Sequence, residues 1–365
     1  MPDRHKNRRE LLKVLTAGAA SAALSGYAEE SQLVQQPSPS PAQFVLPRWR
    51  GFNLLGMFTM RDQGDFPEND FRFIRDLGFN FVRLPLCYRL WIKDNDDYQI
   101  NEPMLEKLDR AIELGAQYGL HVSINFHRGP GYSVNKDFVE PHNLWKDKEP
   151  LDAFCFQWQM LAKRYRGVAT DHLSFDLINE PPAPDGRMSR ADHERVIRTA
   201  VKAIRKIHPD RLIIADGLRW GNDPIPELVD LDIAQSTRAY QPMFISHYQA
   251  SWVNSERYPE PVWPGHGWNR ERLKQHYQPW ADLAKKAVGV HCGEGGAYNK
   301  TPHTVVLAWL RDVLEILTSF GIGLALWNFR GPFGILDSGR KDVRYEDFHG
   351  HKLDRKLLEL LQEFQ

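Results

Sequence analysis

Two glutamates stand where apolar, strand-like runs come to an end. Glu180 falls in LSFDLINEPP (173–182) and Glu294 in VGVHCGEGG (288–296). Leu173, Phe175, Leu177 and Ile178 form a β-prone run free of Gly and Pro, the pattern of a buried parallel strand. Pro181 and Pro182 cannot donate ladder hydrogen bonds, so regular structure stops beside Glu180. Around Glu294, the glycines Gly293, Gly295 and Gly296 allow backbone and ligand to approach closely. Parallel α/β folds keep their chemistry at the C-terminal ends of buried strands. Either Glu alone could be a surface residue that merely ends a strand. As a pair they could divide acid and base work. One carboxylic acid protonates a leaving oxygen and one carboxylate attacks or activates water, which is what glycoside hydrolysis needs.

Such a pair needs a frame that sets two strand ends face to face. Strand patterns fall at 51–55, 79–84, 121–126, 173–178, 212–215, 234–240, 288–293 and 322–327. Helix patterns follow at 69–77, 103–118, 151–165, 189–207, 270–287, 303–320 and 353–363, and only a short helix fits after the fifth strand, where Pro224 and Pro226 intervene. In the second helix, Leu105, Leu108, Ile112 and Ala116 mark the buried face. Eight alternations of strand and helix favour a closed (β/α)8 TIM barrel over an open doubly wound sheet. The barrel forms a single catalytic domain over 44–365, with Glu180 and Glu294 on strands four and seven. Loops after strands three, six and eight are long and hold Trp145, Trp252, Trp263, Trp268 and GPFGILDSGR (331–340), which suits a cleft on that face. Trp145, Trp220, Trp252, Trp263 and Trp268 are open to a role as sugar platforms, whereas Trp158, Trp280 and Trp309 lie within helices and read as core.

Composition narrows the class. With 42% hydrophobic residues the chain can bury a large core, and Lys+Arg and Asp+Glu both total 47, so no basic excess points to nucleic acid. No apolar run reaches the ~20 residues of a membrane span. Cys87, Cys155 and Cys292 form no CxxC pair and read as buried thiols rather than a disulfide framework or zinc site. Residues 1–28 read as an export leader: NRRELLK (7–13) resembles the twin-arginine motif, an Ala-rich apolar stretch follows, and Gly26-Tyr27-Ala28 offers a cleavage site. Asn7 and Leu11 depart from the commonest form of that motif, and an ordinary Sec signal is the alternative. Residues 29–43, with Pro37, Pro39 and Pro41 among serines, read as a linker.

From about residue 50 to 361 the chain resembles glycoside hydrolase family 5. The resemblance is carried by RGFNLLG (50–56), FVRLP (81–85), INFH (124–127), INEPP (178–182), GEGG (293–296) and LWNFRG (326–331). NEP and the strand-seven Glu are the specific parts. It implies Glu180 as acid/base and Glu294 as nucleophile, their carboxyls roughly 5–5.5 Å apart for a retaining mechanism. It further implies that Asn179 bonds the 2-hydroxyl of the sugar being cleaved, that Arg83 and Tyr240 contact the nucleophile, that His127 lines the same sugar site and that Trp327 forms its floor. In TRAYQPMFISH (237–247) Tyr240 fits the family pattern, but Arg238 stands where His is expected. Either the site holds a permanent cation near the acid/base, or another residue such as His247 serves there.

The expectation is a secreted, periplasmic or extracellular retaining hydrolase acting as a monomer on β-linked polysaccharide or oligosaccharide, without metal or organic cofactor. Endo-β-1,4-glucanase leads; endo-β-mannanase and β-1,3-glucanase share the same catalytic apparatus. From other classes, a non-catalytic glycan-binding barrel and a metal-dependent hydrolase stand as alternatives, though GFNLLG (51–56) lacks the His-x-His of metal-dependent amidohydrolases. For the leader, Arg8→Lys combined with Arg9→Lys is expected to leave the enzyme in the cytoplasm on cell fractionation. Normal secretion of that variant means another route.

Overall fold

The computed structural model describes residues 46–62, 64–135 and 139–365. The leader expected over 1–28 and the linker over 29–43 lie outside them. Eight parallel strands form the centre: β1 (Gly51–Asn53), β2 (Phe81–Cys87), β3 (His121–Gly129), β4 (Leu173–Asp176), β5 (Leu212–Asp216), β6 (Ala234–Ala239), β7 (Val290–Gly295) and β8 (Ala325–Leu326). They pair in the order β7-β6-β5-β4-β3-β2-β1-β8. A parallel bridge between Cys292 and Leu324 brings the two ends together, with Cys292 N donating to the Gly323 carbonyl at 2.9 Å. This is the (β/α)8 barrel that the alternation predicts.

Seven full helices surround it among the described residues: α1 (Glu68–Asp76), α2 (Glu102–Gln117), α3 (Lys148–Arg164), α4 (Arg190–Arg205), α5 (Arg270–Ala284), α6 (His303–Ser319) and α7 (Arg355–Gln362). Ser189 and Asp192 cap the start of α4 reciprocally, each side chain accepting the other's backbone N–H. After β5 there is a four-residue turn, Leu218–Gly221, in which Arg219 and Trp220 are left-handed, followed by a short 3-10 helix, Pro226–Leu231. The face of α2 differs from expectation. Ala116 is exposed, and the buried set is Leu105, Leu108, Ala111, Ile112, Leu114 and Gly115. Gly115 is the point of closest approach, since a Cβ there would lie 2.2 Å from Val122 Cγ2.

The period of two along each strand sorts the chain into two populations. Val82, Leu84, Val122, Ile124, Leu173, Phe175 and Ile213 join the helices in one large apolar core, together with the buried Trp158, Trp280 and Trp309. The alternate residues line the barrel, and they are mixed. At the bottom Trp49, Phe81, Leu212, Ile214 and Ala234 cluster. His121 stacks on Trp49 at 4.1 Å between centroids, and His291 meets Phe81 at 4.7 Å. Toward the top the inward positions are polar and buried: Arg83, Ser123, Asn125, Asp176, Asp216, Ser236 and Arg238. Cys87 and Cys292 are buried free thiols, and Cys155 is half-buried.

Strand β8 is shorter than the run 322–327 suggests. Gly323 packs so closely on the segment before β1 that a Cβ would sit 1.9 Å from the Trp49 carbonyl oxygen. Around it, Gly51 N donates to Leu324 O at 3.1 Å and Trp327 N to Gly295 O at 2.8 Å. The chain is thus bonded to both neighbours, although only two residues have full ladder geometry. The same crowding governs Gly51, whose Cβ would lie 1.8 Å from the Phe81 carbonyl oxygen. Gly51→Ala is expected to destabilise the barrel by about 1–3 kcal/mol or more. Gly167→Ala, with nothing within 4 Å of the new methyl, should change stability by less than about 0.5 kcal/mol. Urea midpoints of the two variants check the contrast.

Candidate active site

Three of the strand ends are irregular in ways that aim side chains into the barrel mouth. In β7 the register against β6 slips between Cys292 and Glu294, so that Gly293 is an extra residue and Glu294 faces Arg238. That bulge needs glycine: a Cβ on Gly293 would lie 2.8 Å from Ser236 Oγ. In β3 the register against β2 slips between the Phe126 and Arg128 pairs, which places His127 at the irregularity. Beyond β4, Asn179 N donates to the Phe126 carbonyl at 2.9 Å, and Glu180 then turns with φ +50°. A left-handed Glu is costly, on the order of 1–2 kcal/mol, unless its surroundings fix it. They do: its N–H donates to Asp216 Oδ2 at 2.9 Å, and Tyr132 Oη donates to its carbonyl at 2.6 Å. Asp216 itself is the last residue of β5.

Two buried guanidinium groups hold this mouth together. Arg83, from β2, donates through Nε to Asp176 at 2.7 Å, through Nη1 to Glu294 Oε1 at 2.6 Å and Asn53 Oδ1 at 3.1 Å, and through Nη2 to Asn179 Oδ1 at 2.9 Å. Arg238, from β6, donates through Nε to Glu180 Oε1 at 3.1 Å, and through Nη2 to Asn179 Oδ1 at 2.9 Å and to Asp216 Oδ2. Its Nη2 also lies 3.5 Å from Glu294 Oε1, so both strand-end glutamates touch one guanidinium. Tyr240 Oη donates to Glu294 Oε2 at 3.1 Å.

Four carboxylates, Asp176, Glu180, Asp216 and Glu294, thus face two cations, leaving an excess of negative charge where water is scarce. The field cannot keep all four ionised equally. The Glu180 carboxyl is pushed up to about 8 by burial, then by the charge of Glu294; Arg238 pulls the other way and Asp216 adds to the rise. Asp176 is pushed up to about 7, by burial first and then by Asp216, against the pull of Arg83. Arg238 is therefore a fixed cation beside Glu180, yet the net shift at Glu180 is upward. The His127 imidazole is held well below its ordinary range by burial and then by Arg128, Arg83 and Arg238, so it is neutral at ordinary pH.

The remaining candidates fall into separate groups. His127 reaches Asn179 Nδ2 at 3.5 Å, and its ring lies 5.3 Å from that of Trp327; Phe58 meets both rings, at 4.7 Å and 5.2 Å. His247 does not take the place of Arg238. It ends the short helix Met243–Ser246, bonds Ser246 Oγ at 2.8 Å and packs edge-on against Tyr240. Among the loop tryptophans, Trp220 and Trp252 are 47% and 51% exposed and free to meet a ligand. Trp145 is buried against Tyr132 and His193, Trp263 donates to Asp312, and Trp268 lies under Arg272, so these three serve the scaffold. Asp176, Asp216, Asn53 and Tyr132 belong to the network but escape a search for paired glutamates. LIIAD (212–216) did carry a signal, a third carboxylate at the end of an apolar strand.

An eight-stranded parallel barrel with two glutamates converging from β4 and β7 defines the class of retaining barrel glycosidases. Residues 42–331 match the family Cellulase (glycosyl hydrolase family 5), and the chain belongs to that family. Endoglucanase C of Acetivibrio thermocellus is 28% identical over 310 residues, covering 76% of this chain and 88% of its own. Cellodextrinase A of Ruminococcus flavefaciens is 27% identical over 296 residues, covering 75% and 83%. A solved crystal structure of a glycoside hydrolase superposes with a TM-score of 0.83 at 42% identity, covering 87% of this chain and 99% of its own. The protein is accordingly an O-glycosyl hydrolase of β-linked glycans, with the retaining mechanism characteristic of its family, and the non-catalytic alternative falls away.

The raised pKa of Glu180 makes a statement about stability. Unfolded, this carboxyl ionises above its ordinary 4.5; folded, it holds its proton to about 8. The native state therefore binds more protons across that window, and stability falls as pH rises from 4.5 to 8. Glu180→Gln, which can still accept from Arg238, removes the penalty. Its Tm is expected to exceed that of the natural chain by at least about 2 °C at pH 8, the gap closing as pH falls through 4.5. Calorimetry across that range checks the sign.

Proposed function

We propose that this protein is a secreted endo-β-1,4-glucanase in which Glu180 is the acid/base and Glu294 the nucleophile. The observation that carries the assignment is the contact of one guanidinium, Arg238, with both carboxylates at 3.1 Å and 3.5 Å, while their other surroundings differ. Glu180 is pushed upward by burial and by its neighbour, which suits a group that must carry a proton at neutral pH. Glu294 accepts from Arg83 Nη1 on one oxygen and from Tyr240 Oη on the other, which hold its carboxyl in place.

In the first step the Glu180 proton passes to the glycosidic oxygen as the C1–O bond breaks, and a Glu294 oxygen bonds C1. In the second step Glu180, now ionised, takes a proton from water, and that water's oxygen displaces Glu294 from C1, returning both groups to their starting state. The Asn179 carboxamide oxygen is occupied by both arginines, so its –NH2 is the end left to donate to a sugar hydroxyl. Trp327, Phe58 and His127 form an aromatic corner suited to a sugar ring. Support for glucan comes from the relatives, one named an endoglucanase and one a cellodextrinase. The twin-arginine-like run at 7–13 supports export.

A panel of β-1,4-glucan, β-1,3-glucan, mannan and xylan with product sizing tests the substrate. Mixed cello-oligosaccharides are expected early in digestion of β-1,4-glucan. A higher kcat/KM on mannan or β-1,3-glucan overturns that choice. Glu294→Ala should lose at least about 10³-fold in kcat, and azide should then give the glycosyl azide of inverted anomer. Glu180→Ala should keep its first step on aryl glycosides with good leaving groups and lose it on poor ones. Equal loss on both kinds of leaving group contradicts the acid role.

A further inference from the structure

Arg238 raises a difficulty for the proposed acid. A guanidinium cannot give up its charge, and one sitting 3.1 Å from Glu180 Oε1 favours the ionised form that a general acid must avoid. The residue cannot swing away. Gly221, at φ +76°, lies so close that a Cβ there would meet Arg238 Cγ at 2.5 Å, and Ser236 Oγ and the Thr237 carbonyl hold Nη1 at 2.9 Å and 3.0 Å.

The end of β5 supplies the answer. Asp216 is buried, and a single oxygen, Oδ2, accepts both from Arg238 Nη2 and from the backbone N–H of Glu180. Its other oxygen has no hydrogen-bond partner among the described residues. We infer that Asp216 is the positioning residue of the acid/base: it fixes the left-handed turn that presents Glu180, and it cancels the charge of Arg238 so that the guanidinium contributes a hydrogen bond without discharging the acid. The Arg238–Asp216 pair then does as a neutral unit what an uncharged imidazole could do at that place. This inference rests on the reading of Glu180 as the acid.

The other groups facing Glu180 do not supply this compensation. Glu294 from β7 reaches Arg238 only at 3.5 Å and is bonded more closely by Arg83 and Tyr240, and Asp176 from β4 is bound to Arg83 from β2. Tyr132 from the loop after β3 meets only the Glu180 carbonyl, and His127 from β3 is neutral. Asp216 alone touches both Arg238 and Glu180.

The test is the pH dependence of kcat/KM for Asp216→Asn, Arg238→Gln and the double variant, on aryl β-cellobiosides with poor and good leaving groups. The alkaline limb reports the general acid of the free enzyme. Asp216→Asn keeps an acceptor for the Glu180 N–H but leaves Arg238 uncompensated. Its alkaline limb should fall by about one pH unit, a tenfold change in the acid's ionisation, with the loss at neutral pH confined to poor leaving groups. Arg238→Gln leaves Asp216 uncompensated, and its limb should rise by a similar amount. The double variant should return to within about 0.3 unit of the natural enzyme, a twofold change in that ionisation.

A folded Asp216→Asn enzyme with an unmoved alkaline limb overturns the inference, and so does a double variant that stays displaced. If Asp216→Asn does not fold, Arg238→Gln carries the test alone, and an unmoved or lowered limb overturns it. A merely structural role would lower kcat on every substrate and move neither limb. Glu180→Ala separates the two readings. Retained activity on poor leaving groups sinks the acid assignment itself, whereas its loss together with unmoved limbs sinks only the role of Asp216.

Discussion

Like charges cannot be gathered in a place that water does not reach unless opposite charges are built in beside them. The mouth of this barrel gathers four carboxylates around two guanidinium groups, and β2, β4, β5, β6 and β7 are each committed to that arrangement. Arg83 spans from β2 to Asp176, Asn179 and Glu294; Arg238 spans from β6 to Glu180, Asp216 and Asn179. Moving any one of these strands would strand a charge. The network is therefore a structural constraint as well as a reactive one, and it explains how a left-handed glutamate persists at the rim.

The irregularities of the sheet follow from the same demand. A strand of perfect period two can offer inward residues only at fixed heights. The extra residue at Gly293 lifts Glu294 to face Arg238, and the slip at His127 sets the imidazole beside Asn179. The helices, by contrast, obey simple packing. Large aromatics such as Trp158 and Trp309 fill the space between them and the outer faces of the strands, each worth about 1.5–3 kcal/mol or more of burial.

Much of this was legible in the chain. The alternation of patterns located every barrel strand, and the glutamates at the ends of the fourth and seventh stood out because Pro and Gly punctuate them. Arg238 was visible as a departure from an expected His. Asp176 was not, because it sits inside an apolar run, and the signal at Asp216, a carboxylate ending an apolar strand, reads on its own as an ordinary strand end. Their importance arises only when closure of the barrel sets β4, β5 and β6 side by side. The buried face of α2 was misjudged at Ala116 for a related reason. Ala is equally at home on either side of a helix, and it was Gly115 that the closeness of Val122 required to face inward.

The floor of the barrel sets a boundary that the mouth does not. Trp49 comes from the segment before β1, yet its ring lies with Phe81, His121 and His291 at the closed end of the barrel, and its carbonyl lies against Gly323. Leu46 belongs to the same small cluster. Any shortening of the N-terminus would thus have an inner limit. Proteolytic trimming that ran beyond Leu46 would pull the stopper from the barrel and admit solvent to two buried imidazoles. Fusion partners, tags or exchanged leaders belong upstream of that residue.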